Sequence, residues 1–164
     1  MTTIAVRSGI MACDSAWSDG NGTLVTLQTK ITRTKHGALV GGAGDCSDFD
    51  VMRLLEKVRR PVDFPPLADL MAACHAKSDL EFLIYFPDRQ IWTFAKGEDS
   101  AGELFRIKAP FAAIGSGATA AKVAMSLKAS AIRAIQAACE WDMNCRPPVH
   151  YEGVGKLTVR RKRV

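Results

Sequence analysis

The chain has 164 residues, of which 48% are hydrophobic, and 22 Lys and Arg residues against 17 Asp and Glu residues give a formal net charge of +5. This length suffices for one domain with a single sizeable core. No apolar run approaches the roughly 18 residues needed to cross a bilayer, and a secretory signal is not expected. We therefore predict one domain over residues 1–155, followed by a basic tail over residues 156–164.

The excess positive charge belongs to this tail. The tail contains five basic residues and no acidic ones, and the remaining chain has 17 of each. Such a tail is usually solvated, although it can also contact nucleic acid or an acidic partner. Nucleic-acid binding by the body of the chain is therefore not expected.

The cysteines and histidines indicate neither a disulfide framework nor a metal site. The five cysteines are odd in number and scattered, which favours reduced thiols and a cytoplasmic location. The adjacent Cys74 and His75 have no second ligand pair at zinc spacing. We expect no metal and no other cofactor.

The first residues of the chain contain a potential nucleophile. Removal of Met1 would make Thr2 an N-terminal threonine, in which the α-amine takes the proton of the attacking hydroxyl. The pKa of an α-amine is roughly 7.7–8, close to the pH at which a general base works best. Met before a small residue is usually trimmed, and we expect this here. Because many chains begin with Met-Thr, the dipeptide alone does not establish catalysis.

Two strands follow, and a carboxylate comes directly after them. Residues 3–7 and 10–13 are predicted strands around a Ser8-Gly9 turn, and Asp14 lies at the end of the second. A buried carboxylate is costly unless it is paired. The predicted partner is Lys30, on the polar face of an alternating strand over residues 25–33. Solvation is the usual state of such a lysine, but beside Thr2 it would stabilise an alkoxide and assist proton transfer.

A glycine-rich segment over residues 41–44 follows the apolar strand at residues 38–40. We predict that it leads into a helix beginning near Cys46 and capped by Asp45 or Ser47. Glycines let backbone N–H groups approach a developing oxyanion, and a helix N-terminus favours negative charge. The alternative is an ordinary strand-to-helix turn. A phosphate-binding loop is rejected because no Gly-Lys-Ser/Thr follows.

The rest of the chain alternates between helical and strand patterns. Helices are predicted over residues 48–60, around residues 67–74, and as one long Ala-rich helix over residues 117–140. Strands are predicted over residues 80–86, 90–94, 111–114, 149–151 and 157–159. This order predicts an α+β fold, a four-layer αββα sandwich with two antiparallel sheets between helical layers.

The order of several motifs along the chain resembles that of the N-terminal-nucleophile (Ntn) hydrolases. These motifs are the Thr2-Thr3-Ile4 start, Asp14, Lys30, Gly42-Ala43-Gly44-Asp45 and Ile114-Gly115-Ser116-Gly117. Within them the chain is similar to the proteasome β-subunits and HslV, over residues 2–149. No single motif is specific for this family, but the joint order and spacing of the motifs is specific for it. The same αββα sandwich is implied by the resemblance.

The resemblance also implies roles for particular residues. Thr2 matches the nucleophile, and Asp14 and Lys30 match the paired aspartate and lysine. Gly44 matches the oxyanion-hole glycine, a role that Gly41 or Gly42 could also fill. Ser116 matches the serine that hydrogen-bonds the terminal amine. Asp142 and Cys145 fall where those proteins carry a second Asp and a Ser, and a thiol is the weaker hydrogen-bonding group.

The resemblance implies a threonine peptidase that hydrolyses peptides or unfolded proteins. It also implies a homo-oligomeric ring with sites facing an inner chamber, and an unfoldase partner is compatible with it. Small residues at 118–121 and 129–131 would allow close helix approach in such an assembly. One alternative is a non-catalytic ring-forming or binding protein, expected if Met1 stays attached. Another is an amidase or acyltransferase acting on small amides.

Overall fold

The computed structural model describes residues 2–18, 24–26, 29–44, 49–74 and 79–154. Several sequence-based predictions concern residues outside these ranges. They include Met1, the helix cap at Asp45 or Ser47, the helix start near Cys46, His75, the strand at residues 157–159 and the basic tail.

The described part of the chain forms strands and helices in an α+β order. The strands are β1 (Thr3–Arg7), β2 (Ile10–Cys13), β3 (Ala16–Ser18), β4 (Leu24–Thr26), β5 (Ile31–Arg33), β6 (Leu39–Gly44), β7 (Leu80–Tyr85), β8 (Ile91–Lys96), β9 (Glu103–Ile107), β10 (Phe111–Gly115) and β11 (His150–Gly153). The helices are α1 (Phe49–Leu55), α2 (Leu67–Ala73), α3 (Ala118–Ser126) and α4 (Ala131–Trp141), with a 3-10 turn at Pro61–Asp63.

Two antiparallel sheets form the centre of the molecule. The first sheet has the order β10-β1-β2-β11 and the second β5-β6-β7-β8-β9, while β3 and β4 pair separately. Because side chains alternate along a strand, each sheet presents one face to the other. The shared core between them includes Ile4, Val6 and Met11 from the first sheet and Leu39, Leu83 and Ile91 from the second.

Helices cover the outer faces of both sheets. Residues of α1 and α2, among them Val51, Leu55 and Leu70, pack on the outward face of the second sheet. Residues of α3 and α4 pack on the outward face of the first sheet. The predicted αββα sandwich is therefore confirmed, and so are the Ser8-Gly9 turn and the hairpin formed by β7 and β8.

The single helix predicted over residues 117–140 is wrong, because the chain breaks it into α3 and α4. Lys128 adopts a left-handed φ of 69°. The Ala129 N–H then bonds the Ala124 carbonyl at 3.1 Å, which closes α3. The Ser130 side chain accepts the Arg133 N–H and begins α4. The apolar pattern continues across this break, so the sequence pattern does not reveal where α3 ends.

The Ala-rich segments pack on the chain's own first sheet. Four alanines of α3 and α4 are fully buried against Ala5, Ala12 and Ala113, namely Ala121, Ala131, Ala134 and Ala138. Small side chains on both sides bring these helices close to the sheet. Two of the small residues predicted to allow contact between copies, Ala121 and Ala131, are thus buried in the core of the chain itself.

Three further predictions are corrected. The alternating run over residues 25–33 is not one strand, because β4 ends at Thr26 and pairs with β3, whereas β5 begins at Ile31 and joins the second sheet. The glycine-rich segment, predicted to follow the strand at residues 38–40, is instead the end of that strand, β6. The helix predicted over residues 48–60 ends at Leu55, although Val58 remains buried. Strands β3 and β9 were missed by the sequence analysis.

Candidate active site

Thr2 lies immediately before β1 and is 2% exposed. Its carbonyl oxygen accepts the Ser116 N–H at 2.9 Å, which ties it to the turn after β10. Gly115, with a φ of +86°, makes this approach possible. A Cβ at Gly115 would lie 1.8 Å from the Thr2 carbonyl oxygen, so only glycine fits here.

The Asp14 carboxylate is fully buried beside the peptide that joins Thr2 to Thr3. Its Oδ1 accepts the Thr3 N–H at 2.8 Å and the Lys30 ammonium at 2.7 Å. Its Oδ2 accepts the N–H groups of Ala16 at 2.9 Å and Arg146 at 3.4 Å. These four donors compensate the desolvation of the charge.

The structure brings Lys30 to Asp14, as expected, but from a different local structure. Lys30 precedes β5 and does not lie on the polar face of a strand. Its side chain is 9% exposed, so the solvated alternative does not hold. The pairing depends on β4 and β5 belonging to different sheets, which alternation in sequence does not reveal.

Of the three glycines considered for the oxyanion hole, Gly44 lines the cavity that contains Thr2. Its φ is +97°, and a Cβ there would lie 2.1 Å from the Asp79 carbonyl oxygen. Gly41 and Gly42 face packed side chains. A Cβ would lie 2.9 Å from Ile4 at Gly41 and 2.8 Å from Phe82 at Gly42.

Ser116, whose N–H binds the Thr2 carbonyl, also contacts Asp142 through its hydroxyl. Burial alone would raise the pKa of Asp142, but hydrogen bonds from the Asn144 N–H, the Ser116 hydroxyl and Cys145 hold it below the ordinary value. The Asn144 N–H donates to Asp142 Oδ1 at 2.9 Å. Asp142 is thus an anion that orients Ser116, whose N–H already contacts Thr2.

Cys145 contacts the residue after Thr2. Its buried Sγ lies 2.7 Å from Thr3 Oγ1, and either atom can be the donor. The Gly117 N–H also donates to Thr3 Oγ1, at 2.9 Å. Burial raises the pKa of Cys145 to about 11, so the thiol stays protonated. The expected network near the nucleophile therefore reaches Cys145 through the Thr3 hydroxyl.

The cavity beside Thr2 has a volume of about 460 Å³. Its lining includes three residues to which the sequence analysis assigned no role, namely Glu81, Lys96 and Gly115. One signal was present for Glu81, because it is the charged residue inside the otherwise apolar run at residues 80–86. The described residues contain no cluster of three or more His, Cys, Asp or Glu side chains arranged to hold a metal ion. Within the same residues, no helix combines the length and apolarity needed to span a bilayer.

Comparison with solved structures identifies the fold class. BPH from Thiobacillus denitrificans, solved in complex with epoxomicin, has a TM-score of 0.63 and 19% identity over 94% of this chain and 98% of its own. HslV from Trypanosoma brucei has a TM-score of 0.64 and 18% identity over 92% and 97%. Anbu, an ancestral β-subunit from Yersinia bercovieri, has a TM-score of 0.61 and 13% identity over 92% and 80%.

The chain therefore has the fold of the proteasome-like Ntn hydrolases. No protein-family model and no curated protein sequence matches it. At these identities the likeness establishes the fold, and the chemistry must be argued from the residues of this chain.

Proposed function

We propose that this protein is a threonine peptidase that hydrolyses peptide bonds through Thr2 after removal of Met1. The observation that carries the proposal is the shared Asp14 Oδ1. This oxygen binds both the Lys30 ammonium and the N–H of the peptide that follows Thr2. A cationic group is thus held at the carboxylate that binds the first peptide N–H after Thr2.

In this mechanism the Thr2 α-amine is the general base. Thr2 Oγ bonds to the substrate carbonyl carbon while the amine takes the hydroxyl proton. The tetrahedral intermediate collapses, the C–N bond breaks, and the amine returns the proton to the leaving nitrogen. Water, deprotonated by the same amine, then attacks the ester and releases the acid and free Thr2.

Lys30 and Gly44 would stabilise the charges that develop. The Lys30 ammonium lowers the cost of forming negative charge on Thr2 Oγ, and Asp14 holds it in place. The N–H of Gly44, at the cavity wall, is our candidate donor to the oxyanion on the substrate carbonyl. Preorganised donors of this kind need no rearrangement during the reaction.

Ser116 and Asp142 would hold the amine. The Ser116 N–H contacts the Thr2 carbonyl, and Asp142 accepts a hydrogen bond from the Ser116 hydroxyl. That hydroxyl can accept a hydrogen bond from the α-amine once Met1 is removed. Asp142, ionised because its pKa is lowered, would then support the protonated amine during each proton transfer.

We also propose a cytoplasmic, closed oligomer. Confinement of the sites in a chamber would supply selectivity that an open threonine site lacks. Closed symmetry is the usual form of soluble homo-oligomers. An unfoldase that delivers unfolded substrate is compatible with such a chamber.

The proposal is tested by intact mass and hydrolysis of a fluorogenic peptide library. We expect a mass that lacks Met1, activity in the unmodified chain, no activity in Thr2→Ala, and measurable activity in Thr2→Ser. The control variant Thr119→Ala removes an exposed threonine hydroxyl of α3 and should retain activity. Epoxomicin, present in the BPH complex, serves as a probe and should inhibit.

Two outcomes oppose the proposal. Full activity in a preparation whose mass retains Met1 would exclude the α-amine as base. Retained Met1 without activity would favour the non-catalytic ring-forming alternative.

A further inference from the structure

Glu81 occupies an inward-facing position at the end of β7 nearest Thr2. Leu83 and Tyr85 lie two and four residues further along the strand and therefore share a face with Glu81. Both belong to the core between the sheets, so Glu81 faces the gap between the sheets. Its cross-strand neighbours are Ala43 on β6 and Ala95 on β8. Two methyl groups therefore flank the carboxylate and leave it accessible from the cavity that it lines with Thr2.

One oxygen of this carboxylate is held in place. Glu81 Oε2 accepts the Gly115 N–H at 3.1 Å, across the gap between the two sheets. Gly115 precedes the Ser116 N–H that contacts Thr2, so the carboxylate is positioned relative to the nucleophile. Glu81 Oε1 accepts no hydrogen bond from any residue within the described ranges.

Other charges line the same cavity. Lys96 pairs in register with Leu80 and lies on the opposite face of the second sheet from Glu81. Phe94, on the same face as Lys96, packs toward the helical layer. The Lys96 side chain is almost buried and donates to the Gly97 carbonyl at 3.4 Å. Asp79, at the rim, adds a second negative charge. The charged side chains of the described lining are thus two carboxylates, Asp79 and Glu81, and one ammonium, Lys96. Glu81 is the carboxylate that faces the gap between the sheets.

We propose that Glu81 determines specificity by selecting a cationic side chain, Lys or Arg, of the peptide in the Thr2 cavity. This inference rests on the proposed peptidase function for its substrate class. A guanidinium or ammonium group reaching Glu81 Oε1 forms a charge-assisted hydrogen bond, whereas an acidic side chain is repelled. The bond from Gly115 fixes the carboxylate beforehand, which limits the entropy lost on binding.

The test measures binding, so that it does not depend on turnover. Fluorescein-labelled peptides that differ at one position, Arg, norleucine or Glu, are titrated by fluorescence anisotropy into the full chain carrying Thr2→Ala. We expect the Arg peptide to bind about threefold to fivefold more tightly than the norleucine peptide, as for a partly exposed ion pair. The Glu peptide should bind most weakly.

The decisive variant is Glu81→Gln in the same background. Glutamine retains an acceptor for the Gly115 N–H but removes the charge, so the preference for Arg should disappear. The matched control is Glu103→Gln, which removes a carboxylate from the exposed β9 partner of Ala95 and should retain most of the preference. Thermal unfolding of each variant checks that the fold persists.

A preference for Arg that survives Glu81→Gln, or no preference in the parent, would overturn the inference. If Glu81→Gln does not fold, the salt dependence in the parent decides. The preference should shrink strongly between 50 and 500 mM NaCl if it is electrostatic, and a constant preference would contradict it. Absence of hydrolysis in the unmodified chain would instead reject the peptidase function. The preference for the Arg peptide would still be tested, because the binding measurement does not depend on hydrolysis.

Discussion

Asp14 and Lys30 form an ion pair with 2.7 Å between Oδ1 and Nζ, and their side chains are 0% and 9% exposed. Water therefore does little to stabilise either charge. The carboxylate depends on Lys30 and three backbone N–H donors. Each charge makes burial of the other possible, which links the stability of this region to its proposed chemistry.

Replacement of Lys30 by Ala should abolish hydrolysis, with kcat and kcat/KM falling together because transition-state stabilisation is lost. It should also destabilise the fold by about 3 kcal/mol, since the buried Asp14 carboxylate loses its counter-charge. Steady-state kinetics and urea unfolding measure the two effects. Stability should recover in Asp14→Asn/Lys30→Met, in which the charges are removed together.

The control for this prediction is Lys35→Ala, which removes an exposed lysine of the hairpin between β5 and β6. It should change neither activity nor stability appreciably. An increase in KM alone for Lys30→Ala would identify Lys30 as a substrate-binding residue and contradict its proposed role.

Replacement of Gly115 by Ala should destabilise the protein by about 3 kcal/mol, or lower Tm by roughly 6–12 °C. The reason is its positive φ and the 1.8 Å approach of a Cβ to the Thr2 carbonyl oxygen. Gly97→Ala is the matched control. Gly97 lines the same cavity, but a Cβ there would lie 3.6 Å from the nearest atom, which belongs to Ser100. Similar calorimetric Tm values for the two variants would refute this geometry.

Replacement of Lys128 by Gly should stabilise the protein by about 0.5–1 kcal/mol. Lys128 has a φ of 69° at the end of α3, where glycine avoids the steric cost of a Cβ. Urea unfolding measures the gain, and Lys128→Ala should show none because alanine keeps the Cβ. Loss of stability in Lys128→Gly would favour the continuous helix over residues 117–140.

The buried thiols should make stability sensitive to alkaline pH. Burial raises the pKa of Cys13 and of Cys145 from 9.0 to about 11. The folded protein thus holds these protons more tightly than the unfolded chain. Their stabilising contribution is complete below pH 9 and is lost as the pH rises through 11. Urea unfolding at pH 8 and 10.5 should show a smaller loss in Cys145→Ser than in the parent, and equal losses would contradict the assignment.

The proposed closed oligomer predicts a mass several times that of one chain in light scattering at micromolar concentration. Trp141, the last residue of α4, and Met143, which follows that helix, are 82% and 86% exposed and would be covered in such an assembly. Trp141→Glu should therefore reduce the measured mass. A monomer that still hydrolyses peptides would reject the chamber and leave the chemistry of Thr2 intact.

Local sequence was sufficient for the elements formed by neighbours in the chain. The Ser8-Gly9 turn, the hairpin of β7 and β8, and strand β10 follow from turn residues and side-chain alternation, which act over a few residues. The same patterns could not reveal the break at Lys128, because α3 and α4 both bury apolar residues on one sheet. Nor could they show that β4 and β5 belong to different sheets.

The sequence by itself determined which chemical groups are present and the order of the layers, because both follow from residue type and periodicity. The tertiary structure decided which groups meet. Glu81 reaches Gly115 across 34 residues, and Cys145 reaches Thr3 across 142. Such contacts depend on how the two sheets stack and on where each strand ends. Strand ends are set by the competition between pairing and packing over the whole domain, and no local pattern records the result.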